Sequence, residues 1–191
     1  MHPDVREVLL TAEQIRIRVG EMAERIAADY RDREPVLVGV LDGAIVFLAD
    51  LMRALPIPLR IDFVKWSSYG DSSTSSGEVQ LLKDLSFSVE GKHVLVVEDI
   101  VDTGLTLHYL MENLGTREVA TLAVAALLDK PSRRRVKVKL DYVGFEVPDE
   151  FVVGYGLDLA QRYRNLAYVA LLKPEVYRRG MEPPMNTDKR R

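Results

Sequence analysis

A chain of 191 residues, 47% hydrophobic and 29% charged, is long enough for one domain with a sizeable core and a small subdomain. Its net charge of -3 argues against broad nucleic-acid binding, which calls for a basic footprint. The absence of cysteine excludes disulfides, thiolate metal sites and a cysteine nucleophile.

No apolar run approaches the roughly 20 residues of a membrane span. The opening MHPDVREVLL has no basic region followed by an apolar core, so no signal peptide is visible and a soluble cytoplasmic protein is expected. Thr11-Ala12-Glu13-Gln14 reads as a capping box, with Ile15, Val19, Met22, Ala23 and Ile26 following at helical spacing. Pro35 interrupts, and residues 36–40 form an apolar, β-rich run. After Gly43 a second helix is predicted to about Leu55, with Ile45, Leu48, Leu51, Met52 and Leu55 on its apolar side. Residues 59–65 read as a strand, and so does the apolar run at 93–97. A helix carrying Leu107, Leu110, Met111 and Leu114 comes next, then strands at 118–128 and 142–145. This alternation predicts an α/β fold, a mainly parallel twisted sheet with helices on both faces. Ligands of such sheets sit outside the carboxyl ends of the strands. Glu98, Asp99 and Asp102 lie at one such end, and Asp42 and Gly43 at another.

Two segments read as outside the core. Residues 66–77, WSSYGDSSTSSG, are dominated by serine and glycine, as expected of a lid loop or of a plain linker. Residues 180–191 carry two adjacent prolines and terminal charges, the composition of a disordered tail. The only basic patch, Arg133-Arg134-Arg135 with Lys137 and Lys139, is expected to be a solvated hairpin.

The stretch HVLVVEDIVDTGLTL at 93–107 carries the most chemistry. An apolar strand feeding a tight turn, Thr103-Gly104-Leu105-Thr106, and a helix start offers free backbone N–H groups and two hydroxyls to a phosphate. Without the lysine of GxxxxGK[ST] it is not a nucleotide P-loop, and no GxGxxG follows a strand. Taken alone, the turn also fits an ordinary helix cap. Glu98 and Asp99, adjacent on a strand, point in different directions and suit sugar hydroxyls or magnesium with retained waters.

VVEDIVDTGLT resembles the phosphoribosyl-diphosphate signature of the type I phosphoribosyltransferases. The surrounding chain resembles their hypoxanthine and hypoxanthine-guanine branch over most of residues 8–173, with further matching blocks at 142–158 and at Ser68-Tyr69-Gly70. The resemblance implies one phosphoribosyltransferase domain over 1–179, its small hood formed by the N- and C-terminal segments, with a flexible lid. It implies that Thr103, Gly104, Leu105 and Thr106 hold the 5-phosphate and that Glu98 and Asp99 meet the ribose hydroxyls and a magnesium ion, with Asp158 at a second metal position and among the purine-binding residues. Leu41, Asp42 and Gly43 would form the diphosphate loop, Ser68 and Tyr69 the lid tip, and Arg164 a diphosphate contact. Asp102 would manage the purine N7 proton, Lys130 would bond the 6-oxo group, Phe151 would stack on the purine and Val152 would present its backbone to the base. Many members carry lysine where this chain has Asp42, so a side-chain cation is expected to be lost there.

The implied activity is magnesium-dependent purine salvage from phosphoribosyl diphosphate (PRPP), by a homodimer or homotetramer with small-molecule substrates. A xanthine- or guanine-preferring relative, and a regulatory protein that retains the phosphoribosyl site, stay open as other readings. Asp102, Lys130, Phe151 and the acidic charge speak against the regulator.

Overall fold

The computed structural model describes residues 2–68 and 79–176. The expected lid tip at Tyr69, the rest of the serine-rich run to Gly77 and the expected tail at 180–191 lie outside the described residues. In chain order the elements are β1 (Val5–Leu10), α1 (Ala12–Asp29), β2 (Val36–Leu41), α2 (Ile45–Ala54), β3 (Arg60–Ser68) and β4 (Val79–Lys83). They continue with β5 (His93–Val101), α3 (Leu105–Gly115), β6 (Thr121–Asp129), β7 (Tyr142–Glu146), β8 (Val152–Val153) and β9 (Val169–Leu172).

Among the described residues, a six-stranded sheet has the order β4-β3-β2-β5-β6-β7. It is parallel from β3 to β7, and β4 adds an antiparallel edge. The strands alternate between two cores. Leu37, Leu95 and Val97 face α1 and α2, whereas Val36, Val38, Val94 and Val96 face α3. Both faces are thus covered by helix, which is why the central strands read as continuous apolar runs. The order of connection reverses between β2 and β5, and the loops that follow these two strands flank the resulting crevice.

The capping box at Thr11 forms as expected, with the Gln14 amide donating to Thr11 Oγ1 at 3.2 Å and the Thr11 amide to Gln14 Oε1 at 2.8 Å. Three expectations need correction. Ile45 lies 48% exposed, and the inward side of α2 is Phe47, Leu48 and Leu51. The strand expected from Glu118 begins at Thr121, because Glu118 adopts a left-handed φ of 53° and its carbonyl accepts from the Gly91 amide. The strand expected to stop before the acids runs on through Glu98 to Val101, paired with β6 as far as Asp129.

A second, three-stranded antiparallel sheet joins β1, β9 and β8. Val5 pairs with Leu172 and Val152 with Leu171, so both ends of the described chain meet over the crevice. Val153, Leu159, Tyr163, Ala170 and Leu172 form its own small core.

Candidate active site

The turn from Thr103 to Thr106 follows from local backbone chemistry. Gly104 caps α3 with φ 83°, and a Cβ there would lie 2.9 Å from the Val136 carbonyl oxygen. Only glycine tolerates both conditions. The Arg135 and Val136 amides donate to the Thr103 carbonyl at 2.9 and 3.2 Å, so the segment after β6 braces the turn from behind. The Leu105 amide lies 3.4 Å from Thr103 Oγ1. Thr103, Gly104 and Thr106 line a cavity of about 100 Å³ with Glu98 and Asp102. The Leu105 side chain does not line it.

A larger cavity, about 330 Å³, opens beside it at the crevice between β2 and β5. Asp42 and Gly43 form one wall, Asp99 and Asp102 the floor, and Lys130, Phe151, Val152, Asp158 and Arg164 the far side. The size falls in the range of small-molecule sites. Leu41 is not among the described lining residues, and Ser68 is the last residue of β3. Ile100 and Leu157, which the sequence reading did not single out, complete the wall.

Glu98 therefore faces the smaller cavity and Asp99 the larger. Burial pushes the Glu98 carboxyl well above its usual range, and the neighbouring Asp99 charge adds to this. Burial also raises Asp99, to about 6, against the pull of the Ile100 amide and of Arg164. Asp99 is packed so close to the β2–α2 loop that a Cβ on Gly43 would lie 1.7 Å from its Oδ2. Glycine at 43 makes room for this carboxylate.

Asp158 is held at 2.8 Å by Arg164 Nη2 and at 2.8 Å by the Gln161 amide, and Arg164 Nη1 donates to the Gly156 carbonyl at 2.7 Å. Lys130 is 6% exposed, its Nζ donating to the Glu150 carbonyl at 2.6 Å, and burial lowers its pKa although Asp102 and Asp149 pull the other way. Phe151 stands outside β8 and is 46% exposed at the cavity mouth. That is an unusual position for a phenylalanine whose neighbours Val152 and Val153 are buried.

Glu98, Asp99 and Asp158 are hard oxygen donors, the chemistry magnesium prefers. Among the described residues no three acidic or histidine side chains are close enough together to hold an ion. Asp99 and Asp158 line one cavity and could meet one ion together with ligand oxygens and water, whereas Glu98 faces the smaller cavity. Two raised carboxyls side by side are also the groups a cation would keep ionised.

The basic run is not a solvated hairpin. Pro131–Arg133 forms a 3-10 turn, and Arg133 reaches Asp102 Oδ1 with its Nε at 2.8 Å and Asp149 Oδ1 with Nη1 at 3.1 Å. Arg134 pairs with Asp129 while largely buried. Sequence reasoning missed Arg133 and also Lys65, whose Nζ donates to both Asp42 oxygens at 2.9 and 2.8 Å. A signal for the latter existed, since Lys65 ends the predicted strand beside the one that leads to Asp42.

A family model described as the phosphoribosyl transferase domain matches residues 6–160. The chain is 50% identical over 177 residues to the hypoxanthine-guanine phosphoribosyltransferase of Bacillus subtilis (strain 168), covering 93% of this chain and 98% of that protein. It is 49% identical over 180 residues to the enzyme of the same name from Mycobacterium avium, covering 91% and 89%. A crystal structure of a hypoxanthine phosphoribosyltransferase from Staphylococcus aureus superposes with a TM-score of 0.89 at 48% identity, covering 93% of this chain and 96% of that one. The parallel sheet, the glycine turn after β5 and these relatives agree: the chain belongs to the type I phosphoribosyltransferase family, with the hypoxanthine-guanine phosphoribosyltransferases.

Proposed function

We propose that the protein is a purine-salvage enzyme that transfers the 5-phosphoribosyl group of PRPP to N9 of hypoxanthine and guanine, releasing diphosphate. The observation that carries the reading is that Asp102, Lys130 and Phe151 line one cavity with Asp99, Asp158 and Arg164. A base reader and a sugar-phosphate reader share one space.

In this reading the 5-phosphate sits on the turn from Thr103 to Thr106, against the backbone N–H groups at the start of α3. Glu98 and Asp99 accept hydrogen bonds from the ribose hydroxyls. Phe151 stacks on the purine, and the Val152 backbone meets its far edge. Lys130 donates to the 6-oxo oxygen, where the amino group of adenine would set donor against donor. The bond from N9 to the ribose carbon forms as the bond from that carbon to the diphosphate oxygen breaks, and Asp102 takes the proton from N7. Positive charge on the ribose carbon is stabilised by the nearby carboxylates. Asp99 and Asp158, with Glu98 in the adjoining cavity, are the residues that would hold magnesium, which would supply positive charge to activate the leaving group. The sheet of β1, β9 and β8 acts as the hood over the base.

The reading includes a cytoplasmic location and a homodimer or homotetramer, for which Ile17 and Ile45, each 48% exposed on α1 and α2, are apolar positions to cover. Incubation with PRPP, magnesium and each of hypoxanthine, guanine, xanthine and adenine tests it. Nucleoside monophosphate from the first two is expected. A preference for xanthine would move the enzyme to another branch, and no turnover of any base would defeat the reading.

A further inference from the structure

The β2–α2 loop carries an acid where a polyanion is proposed to sit. Four carboxylates line the larger cavity, Asp42, Asp99, Asp102 and Asp158, against the two cations Lys130 and Arg164. Both cations are engaged. Lys130 Nζ donates to the Glu150 carbonyl, and Arg164 is divided between Asp158 and the Gly156 carbonyl. A diphosphate arriving at Asp42 would meet like charge.

Lys65 alters that balance. It stands on β3 in register with Leu41 of β2, the residue just before Asp42. Its Nζ bonds both Asp42 carboxylate oxygens, at 2.9 and 2.8 Å. The pair is half open to water, with side-chain exposures of 39% and 41%. So placed it adds little stability. It is also within reach of an incoming anion, and an ammonium with three N–H donors has one to spare beyond these two contacts. Asp42 thus holds a lysine at the cavity rim without being one.

We propose that Lys65, positioned by Asp42, is a diphosphate-binding cation of this site in addition to Arg164, so that the charge lost from the loop is supplied by the neighbouring strand. The inference rests on the phosphoribosyl-transfer reading above. When diphosphate occupies the loop, the ammonium swings from Asp42 to a phosphate oxygen or bridges the two. The lysine is then an element of leaving-group affinity and takes no part in reading the base.

The full-length enzyme with magnesium tests this by steady-state kinetics. Lys65→Met is expected to raise the KM for PRPP and the diphosphate inhibition constant about tenfold, as loss of a charge-assisted contact does, with the KM for hypoxanthine within about twofold. Lys65→Arg should stay within about threefold of the parent, which separates loss of charge from loss of fold. Lys65→Asp should be worse than Lys65→Met, and adding Asp42→Lys should recover most of the loss, since the pair is restored in reverse. Parent-like constants in Lys65→Met, or a double variant no better than Lys65→Asp, would overturn the inference while leaving the function intact. A parent enzyme that turns over no base with PRPP removes the function first, and the inference with it.

Discussion

Arg133 Nε lies 2.8 Å from Asp102 Oδ1, and the same guanidinium reaches Asp149 Oδ1 at 3.1 Å. The proposed proton acceptor is therefore tethered from the far side of the base pocket by a residue one turn beyond Lys130. Two residues of one short segment, Lys130 and Arg133, would then act on one edge of the purine, which carries both O6 and N7. In the proposed reading Lys130 would address the 6-oxo group, and Arg133 would orient the carboxylate facing N7.

Asp102→Asn keeps the size of the side chain and removes its basicity. It should lower kcat by roughly 10²–10⁴, with PRPP binding retained because the phosphate turn is untouched. Comparison of kcat with PRPP affinity by titration calorimetry checks this, and an unchanged kcat removes Asp102 from the chemistry.

Arg133→Met should lower kcat by roughly 3–30-fold, less than Asp102→Asn, through a looser carboxylate. The ion pair is solvent-exposed and adds little to stability, so the melting temperature should barely move. A large fall in melting temperature with normal kcat would mark Arg133 as structural.

Asp99 gives a pH dependence of defined sign. Burial lifts its folded-state value from 3.8 to about 6, so folding favours the protonated form. The cost of ionising it is absent below about 4, grows between 4 and 6 and is complete above 6. The ligand-free protein should lose stability as pH rises through that window. Asp99→Asn should therefore stabilise it at pH 8, by about 1–3 kcal/mol, and should weaken PRPP binding. The asparagine oxygen can still accept from the Ile100 amide, which donates to Asp99 Oδ1 at 2.9 Å. In the parent, the KM for PRPP should rise as pH falls below about 6. Calorimetric melting across pH and PRPP kinetics measure the two halves, and a destabilised Asp99→Asn at pH 8 contradicts the first.

Lys130→Met retains the aliphatic stem in its buried slot and deletes the donor. The KM for hypoxanthine should rise about tenfold or more, while the KM for PRPP stays within about threefold. The vacated Glu150 carbonyl, now bonded at 2.6 Å, loses its partner, at about 1–3 kcal/mol. Equal use of hypoxanthine by variant and parent rejects the base-reading role.

The local part of the design was legible in the sequence. The strands β2 and β5, the inner face of α1 and the turn at Gly104 all follow from spacing within a few residues. The hood sheet was not read from spacing, because β1 and β9 find each other across nearly the whole chain and each is short. The ion pairs of Asp102 and Asp42 were hidden for the same reason. Arg133 read as part of a solvated basic run and Lys65 only as the end of a strand, until the loop after β6 and the β2–β3 register bring them to their acids. Ile45 failed differently, since helical spacing marks an apolar stripe but not which of its edges a neighbouring element leaves uncovered.

The pairing of Val5 with Leu172 sets an order of events during synthesis. The crevice floor needs only β2, β3, β5 and β6, all made well before the end. The wall that carries Phe151 and Val152 depends on β9, whose Leu171 is the partner of Val152. A nascent chain stalled just short of Val169 would present the sugar-phosphate half of the pocket with no settled place for a base. β1 would wait, without its β9 partner, until Val169–Leu172 has been made.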